Sequence, residues 1–472
     1  MTDIDDPIAK WLDASFDRLV AELGDWLAIP SVSADPERRG DMVKAAEWLA
    51  ARLRRIGVAN AEIVATDGHP IVRGDWLGAG ADRPTVLCYG HYDVQPAEPL
   101  DAWSSPPFEA SIRRSARGDD LYARGATDDK GQVLVQTAAV EALFATAGRL
   151  PVNVRFLYEG EEEVGSTAVI RHVRENAASI AADVALVSDT AIAAPDRPSI
   201  ECGLRGIWAD ELVVRGPRQD LHSGGYGGVV MNPLHALAGI VASFHDASGR
   251  VAIQGFYDGV RELAAEESAD LAALGIDDAR ILRETGAPAA FGEPGFQPAE
   301  RIGSRPTLDV IGMWGGVLGA AFKGIIPAEA RAKITCRLVP YQDPDCVGRC
   351  VAAHVAKHAP AAVTASFGGR SVRIAPTLLE SDSPAFEAAA RAFERGFGAR
   401  PLRSLCGGGI PIVGHLVDAL DAPAVLMGFG LPDDGAHGPD EHFSLECFRK
   451  GVRTVAAFLE EMGERRTVGR GK

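Results

Sequence analysis

Residues 152–166 read Val152-Asn-Val-Arg-Phe-Leu157-Tyr-Glu159-Gly-Glu161-Glu162-Glu163-Val-Gly-Ser166. A short apolar run leads into four glutamates. Such a run, bounded by a turn, reads as a strand buried on both faces, the kind found in parallel sheets. Adjacent carboxylates at a strand end repel one another unless a cation or a raised pKa absorbs the charge. Taken alone, the run is better explained as a solvated acidic loop opening a helix, where the helix dipole favours it. The other strand ends have to decide.

Two further stretches end the same way. Pro84-Thr-Val-Leu-Cys-Tyr89 is a short β-rich run that passes into Gly90-His91-Tyr92-Asp93, and alternation along an extended chain sends His91 and Asp93 to one side. Asp183-Val-Ala-Leu-Val-Ser-Asp189 is a third apolar strand closed by a carboxylate. Between them, Arg124-Gly-Ala-Thr-Asp128-Asp129-Lys130-Gly131 precedes a helical pattern through Val133, Leu134, Ala138, Val140, Leu143 and Phe144. Strands alternating with helices imply an α/β domain with a mainly parallel sheet, whose ligands gather beyond the carboxyl ends of its strands.

The texture changes at Gly206. Asp210–Arg215, Thr307–Ile311 and Ala330–Leu338 read as strands of an α+β domain, with helices at Pro233–Phe244 and Pro344–His358 and a charged helical stretch near residues 260–284. The expected organisation is therefore a first domain split into 1–205 and 382–472, with 206–381 inserted. At the amino terminus, Ile8, Trp11, Leu12, Phe16, Leu19, Val20 and Leu23 mark a helix to about Leu27, and a second follows to Gly57. The tail from Glu464 to Lys472 is expected to fray.

At 472 residues the chain is too long for one ordinary core. A formal net charge of −17 argues against a nucleic-acid backbone or an anionic membrane as partner. No signal peptide or membrane span is evident. The seven cysteines lack Cys-x-x-Cys spacing and fit packed thiols in a reducing cytoplasm.

His91, Asp128, Glu162, Glu163, Asp189 and His437 together supply two imidazoles and several carboxylates, a donor set suited to zinc, with manganese or cobalt as substitutes. Each one alone has a structural or solvated explanation; their recurrence at strand ends does not. The motifs Gly-His-Tyr-Asp-Val-Gln-Pro, Arg-Gly-Ala-Thr-Asp-Asp-Lys-Gly, Glu-Gly-Glu-Glu-Glu-Val-Gly-Ser, Asp-Leu-His-Ser-Gly and Asp-Asp-Gly-Ala-His resemble those of the dinuclear metallopeptidase superfamily. That superfamily includes aminoacylase, carboxypeptidase G and succinyl-diaminopimelate desuccinylase, and the nearest branch is the carnosinase-type cytosolic dipeptidases. The resemblance runs from about Ile29 to Phe458.

The resemblance implies two divalent cations bridged by Asp128, with His91 and Asp189 completing one site and Glu163 and His437 the other. Glu162 matches the general base acting on a water held between the metals, and Asp93 the carboxylate that orients His91. The inserted domain corresponds to a lid and dimerisation domain. There His222 matches a histidine that stabilises the oxyanion in a partner subunit's site of a homodimer, and Arg337 an arginine that pairs with the substrate's terminal carboxylate. Without the resemblance, His222 reads as a loop hydrogen-bonder and Arg337 as a surface ion-pair residue.

Three positions depart from the branch. Cys406-Gly-Gly-Gly409-Ile-Pro stands where Glu-Gly-Gly-Ser-Ile-Pro is usual, and Gly324 stands where a threonine is usual. The expected reaction is hydrolysis of dipeptides or dipeptide-like amides. The alternatives are an amidohydrolase of N-acylated amino acids and, more remotely, a non-catalytic metal-binding protein on the same fold.

Overall fold

The computed structural model describes residues 6–320, 322–369 and 371–464. The acidic start before Asp6 and the tail after Glu464 lie outside them. The chain forms two compact units. One comprises the described residues up to Cys202, Leu379–Arg403 and those from Ile410 onward; the other comprises Gly203–Leu378 and Ser404–Gly409.

The first unit holds a small three-stranded sheet (Ser111–Ser115, Gly118–Tyr122 and His442–Ser444) and one large sheet. The strands of the large sheet run in the order Glu62–Val64, Ile71–Trp76, Asn153–Glu159, Thr85–His91, Val184–Val187, Ala424–Leu426 and Ser199–Leu204. The four from Asn153–Glu159 to Ala424–Leu426 are mutually parallel. The antiparallel strand Ile71–Trp76 flanks them on one side, and the last strand, also antiparallel, pairs through Glu201 on the other. The sequence reading missed these flanking strands, because Arg73, Gly74 and Asp75 interrupt the apolar signal of Ile71–Trp76.

Helices Pro7–Leu27, Arg39–Arg55, Lys130–Ala147, Pro384–Phe397 and Leu445–Gly463 contribute to the core, among them Leu19, Trp26, Leu49, Leu134, Phe393 and Phe458. In Lys130–Ala147 every residue from Lys130 to Val140 is buried, so this helix shows no polar face. Local chemistry fixes the helix starts: Asp6 Oδ1 accepts the Ile8 N–H at 2.9 Å ahead of Pro7, and Ser444 caps Cys447. Among the described residues no helix is long and apolar enough to cross a membrane.

The second unit has an antiparallel sheet in the order Thr307–Gly315, Glu329–Leu338, Gly206–Arg215, with Thr364–Phe367 and Val372–Ile374 both pairing the last. Ala330, Ala332, Ile334, Cys336 and Leu338 face a core that includes Leu237 and Ile240 from the helix Pro233–Ala242 and Val351 from Pro344–His358. The two-residue period therefore puts Arg337 on the opposite face of the sheet.

Candidate metal centre

Each candidate ligand of the first unit sits where the parallel sheet ends. His91 is the last residue of its strand, in register with Glu159 on the neighbouring strand. Asp189 lies two residues past Val184–Val187. Asp128 and Asp129 directly precede the helix Lys130–Ala147, and the peptide between them is cis. Glu162 and Glu163 open a single 3-10 turn, Glu162–Val164. His437 comes from the loop before His442–Ser444, with φ +61°.

Asp128 stands at the middle. Its Oδ1 is 3.0 Å from His91 Nε2, and its Oδ2 is 2.9 Å from His437 Nε2. His91 Nε2 is also 3.7 Å from Asp189 Oδ1, and His437 Nε2 is 3.3 Å from Glu163 Oε2. Two groups of donors have ligand atoms within 4.8 Å of one another: His91, Asp129 and Asp189, and Asp128, Glu163 and His437. The carboxylate of Asp128 thus faces both histidines, one oxygen to each.

The four glutamates of the opening stretch occupy four environments. Glu159 accepts the Tyr89 hydroxyl at 2.6 Å within the buried sheet. Glu161 is structural: its carboxylate accepts the His69 and Ala168 N–H groups, each at 2.9 Å. Glu163 receives the Gln95 amide at 2.7 Å. Glu162 makes a backbone contact instead, its N–H lying 3.3 Å from Asp93 Oδ1. Asp93 also accepts the Glu163 N–H at 3.1 Å, and its carbonyl and Oδ1 lie 3.0 and 3.3 Å from His91 Nδ1.

So many carboxylates in a buried place need positive charge. Burial pushes the Asp189 carboxyl up to about 6 despite His91. Burial, followed by the charge of Asp189, holds Glu162 well above the usual carboxylate range, and the same two causes raise Asp129. Burial opposes charge on Asp128 too, but hydrogen bonds from His437 and His91 outweigh it and lower its pKa. His437 is raised to about 10 by its hydrogen bonds to Asp128 and Glu163. His91 is raised although burial works against it, because Asp189, Asp128 and Asp93 surround it.

Divalent cations fit this donor set. Glu163 Oε1 and Asp129 Oδ1 are buried without a hydrogen-bond partner, and an ionised carboxylate oxygen can only accept. Two imidazole nitrogens with carboxylate oxygens suit zinc and manganese.

The remaining candidates belong to the second unit. His222 ends the short strand Leu221–His222, paired with Ile325, and its exposed ring accepts the Gly224 N–H at Nδ1, 3.0 Å away. The Ser223 N–H donates to the Gly324 carbonyl at 2.9 Å. Arg337 lies between Thr307 and Ile207 in the sheet. Cys406 Sγ accepts the Gly408 N–H at 3.3 Å, and Arg205 donates from Nε to the Gly407 carbonyl at 2.9 Å. A β-carbon at Gly409 would come within 2.5 Å of the Arg205 carbonyl oxygen. The glycine is thus demanded by the path of this loop.

Sequence reasoning missed Asp129, Gln95, Arg124 and Glu441. Asp129, Arg124 and Gln95 all lie inside quoted motifs, so their positions were the available signal. Glu441 had none beyond following His437 by four residues.

The sequence profile of peptidase family M20/M25/M40 matches residues 87–461. The chain is 30% identical over 476 residues to the Cys-Gly metallodipeptidase dug1 of Schizosaccharomyces pombe, covering 97% of this chain and 98% of that one. It is 29% identical over 474 residues to the Beta-Ala-His dipeptidase of Rattus norvegicus, covering 96% and 95%. Among solved structures, the di-peptidase Dug1p of Saccharomyces cerevisiae superposes with a TM-score of 0.83 at 27% identity, covering 98% of this chain and 100% of that one.

Proposed function

The chain belongs to peptidase family M20/M25/M40, whose members here are metal-dependent dipeptide hydrolases, and we propose on that premise a residue-level mechanism for its own hydrolysis of dipeptides. His91, Asp128 and Asp189 would hold one divalent cation, and Asp128, Glu163 and His437 the other. Asp129 stands beside the first group as a further donor. The observation that carries this reading is the Asp128 carboxylate, with one oxygen 3.0 Å from His91 and the other 2.9 Å from His437.

The cations, zinc by preference, supply Lewis acidity toward the scissile carbonyl and the attacking water when bound. Glu162 takes the proton of that water and returns it to the leaving amine. Asp93 keeps His91 and the Glu162–Glu163 backbone in register, and Gln95 orients Glu163. His222 donates to the developing oxyanion across a homodimer, and Arg337 pairs with the terminal carboxylate of the substrate. The cysteine thiols support a reducing cytoplasm as the protein's place of work.

A shifted substrate preference follows from Cys406, Gly409 and Gly324. The loop Cys406–Gly409 offers no carboxylate to a substrate ammonium, which favours blocked amino termini. Turnover of a panel of dipeptides and their N-acyl forms, with and without chelator, tests both parts. Loss of turnover with chelator and its return with zinc supports the reaction class. A kcat/KM on free dipeptides that equals or exceeds that on N-acyl forms contradicts the shifted preference.

A further inference from the structure

We infer that the buried Arg124–Glu441 pair is a positioning device that holds the His437 loop against Asp128 and so sets the affinity of one of the two cation sites; this rests on the metal-centre reading above. Glu441 is fully buried. Its Oε1 accepts the backbone N–H groups of Thr127 and Asp128 at 3.0 and 3.1 Å. Its Oε2 accepts the Gly125 N–H and Arg124 Nη1, both at 2.8 Å. One carboxylate therefore fixes the backbone of the whole approach to Asp128.

Arg124 closes the arrangement from the other side. Its Nη2 donates to the carbonyl of Gly438, the neighbour of His437, at 3.1 Å and to that of Pro96 at 3.2 Å. Its guanidinium lies 5.3 Å from the Trp103 ring centroid. The Ala123 N–H reaches the Glu441 carbonyl at 3.0 Å, and Thr127 Oγ1 donates to Asp434 Oδ2 at 2.9 Å. Segments 123–128 and 434–441, more than three hundred residues apart in sequence, are thereby tied together at both ends of the loop.

His437 needs such a tie. It is the one exposed ligand, with 58% of its side chain accessible, and it sits at φ +61° in a short loop. A histidine in that conformation keeps its aim only if the surrounding structure over-determines the backbone. A buried ion pair contributes little net stability against an apolar replacement, so its stronger effect here is geometric. The His91 group depends on Asp93 and Asp129 instead, and Glu441 contacts neither. Loss of the pair therefore falls hardest on the His437 site, which loses both its loop tie and the aim of Asp128, while the His91 site feels only the shared Asp128.

The test is zinc titration of the full chain against a competing chromogenic chelator, comparing the native protein with Glu441→Gln. The amide keeps the shape but turns a donor toward donors. The expected result is one site weakened roughly 10- to 100-fold, the scale of lost ligand-orienting contacts, with the other weakened less. Turnover of Glu441→Gln should then be restored by excess zinc, which a general loss of structure would not permit. Two sites of native affinity, or equal weakening of both, would overturn the inference. If Glu441→Gln does not fold, Arg124→Lys, which keeps the charge and loses the fork to Gly438, carries the same comparison and the same two outcomes. A native chain that binds no zinc would refute the metal-centre reading itself, a result separate from these.

Discussion

The Asp93 carboxylate accepts the Glu162 N–H at 3.3 Å, joining the end of one central strand to the turn that follows its neighbour. The same carboxylate accepts the Glu163 N–H and lies 3.3 Å from His91 Nδ1. One buried group thus sets the aim of a proposed ligand and the backbone of the proposed base. Asp93→Ala is expected to lower kcat roughly 10- to 100-fold and to weaken zinc binding at the His91 site, as losses of ligand-orienting carboxylates do. Steady-state kinetics and chelator competition on the folded variant check both.

Cation removal should have a pH signature. Between about pH 4 and 6 the cation-free fold keeps a proton on Asp189 that the unfolded chain has released, and between 6.5 and about 10 the same is true of His437. A folded state that holds more protons than the unfolded one loses stability as pH rises. Cations bind the deprotonated ligands and gain affinity in the same direction. The fall in melting temperature on adding chelator is therefore expected to be larger at pH 8 than at pH 5.5. An equal or smaller fall at pH 8 contradicts this.

Part of the candidate centre was legible because His91, Glu163 and Asp189 lie at or just past strand ends. Short apolar runs announce buried parallel strands, and the residues just after them, His91, Glu162, Glu163 and Asp189, are placed by topology alone. Asp129 was harder to read, since sequence does not tell which of two adjacent aspartates points inward. Arg124 and Glu441 were invisible as a pair because their contact is set by the tertiary path of two loops. The flanking strand Ile71–Trp76 escaped for a local reason, its polar Arg73 and Asp75 and the glycine between them.

Arg52 tests the scaffold apart from the centre. It is fully buried and bonds Glu22, Glu141 at 3.1 Å and Thr137 at 2.8 Å, linking three helices. Removing one partner of a buried charge network costs about 3–5 kcal/mol. Arg52→Ala is expected to shift denaturant unfolding by that order while zinc stoichiometry stays native.

Gly409 tests the substrate loop. Because a β-carbon there meets the Arg205 carbonyl oxygen at 2.5 Å, Gly409→Ser cannot simply restore a hydroxyl and must displace the loop. The variant is expected to raise KM about tenfold or more, which corresponds to about 1.4 kcal/mol or more of lost binding, with zinc content unchanged. Kinetics over the dipeptide and N-acyl panel, with metal analysis, decide it.

The most direct test of the account is turnover and bound zinc measured together on Glu162→Gln. A base that is not a ligand predicts a zinc content equal to that of the native protein and a kcat lower by about two to four orders of magnitude. A variant that turns over at the native rate, or one that loses a zinc ion, would contradict the division of labour between Glu162 and Glu163.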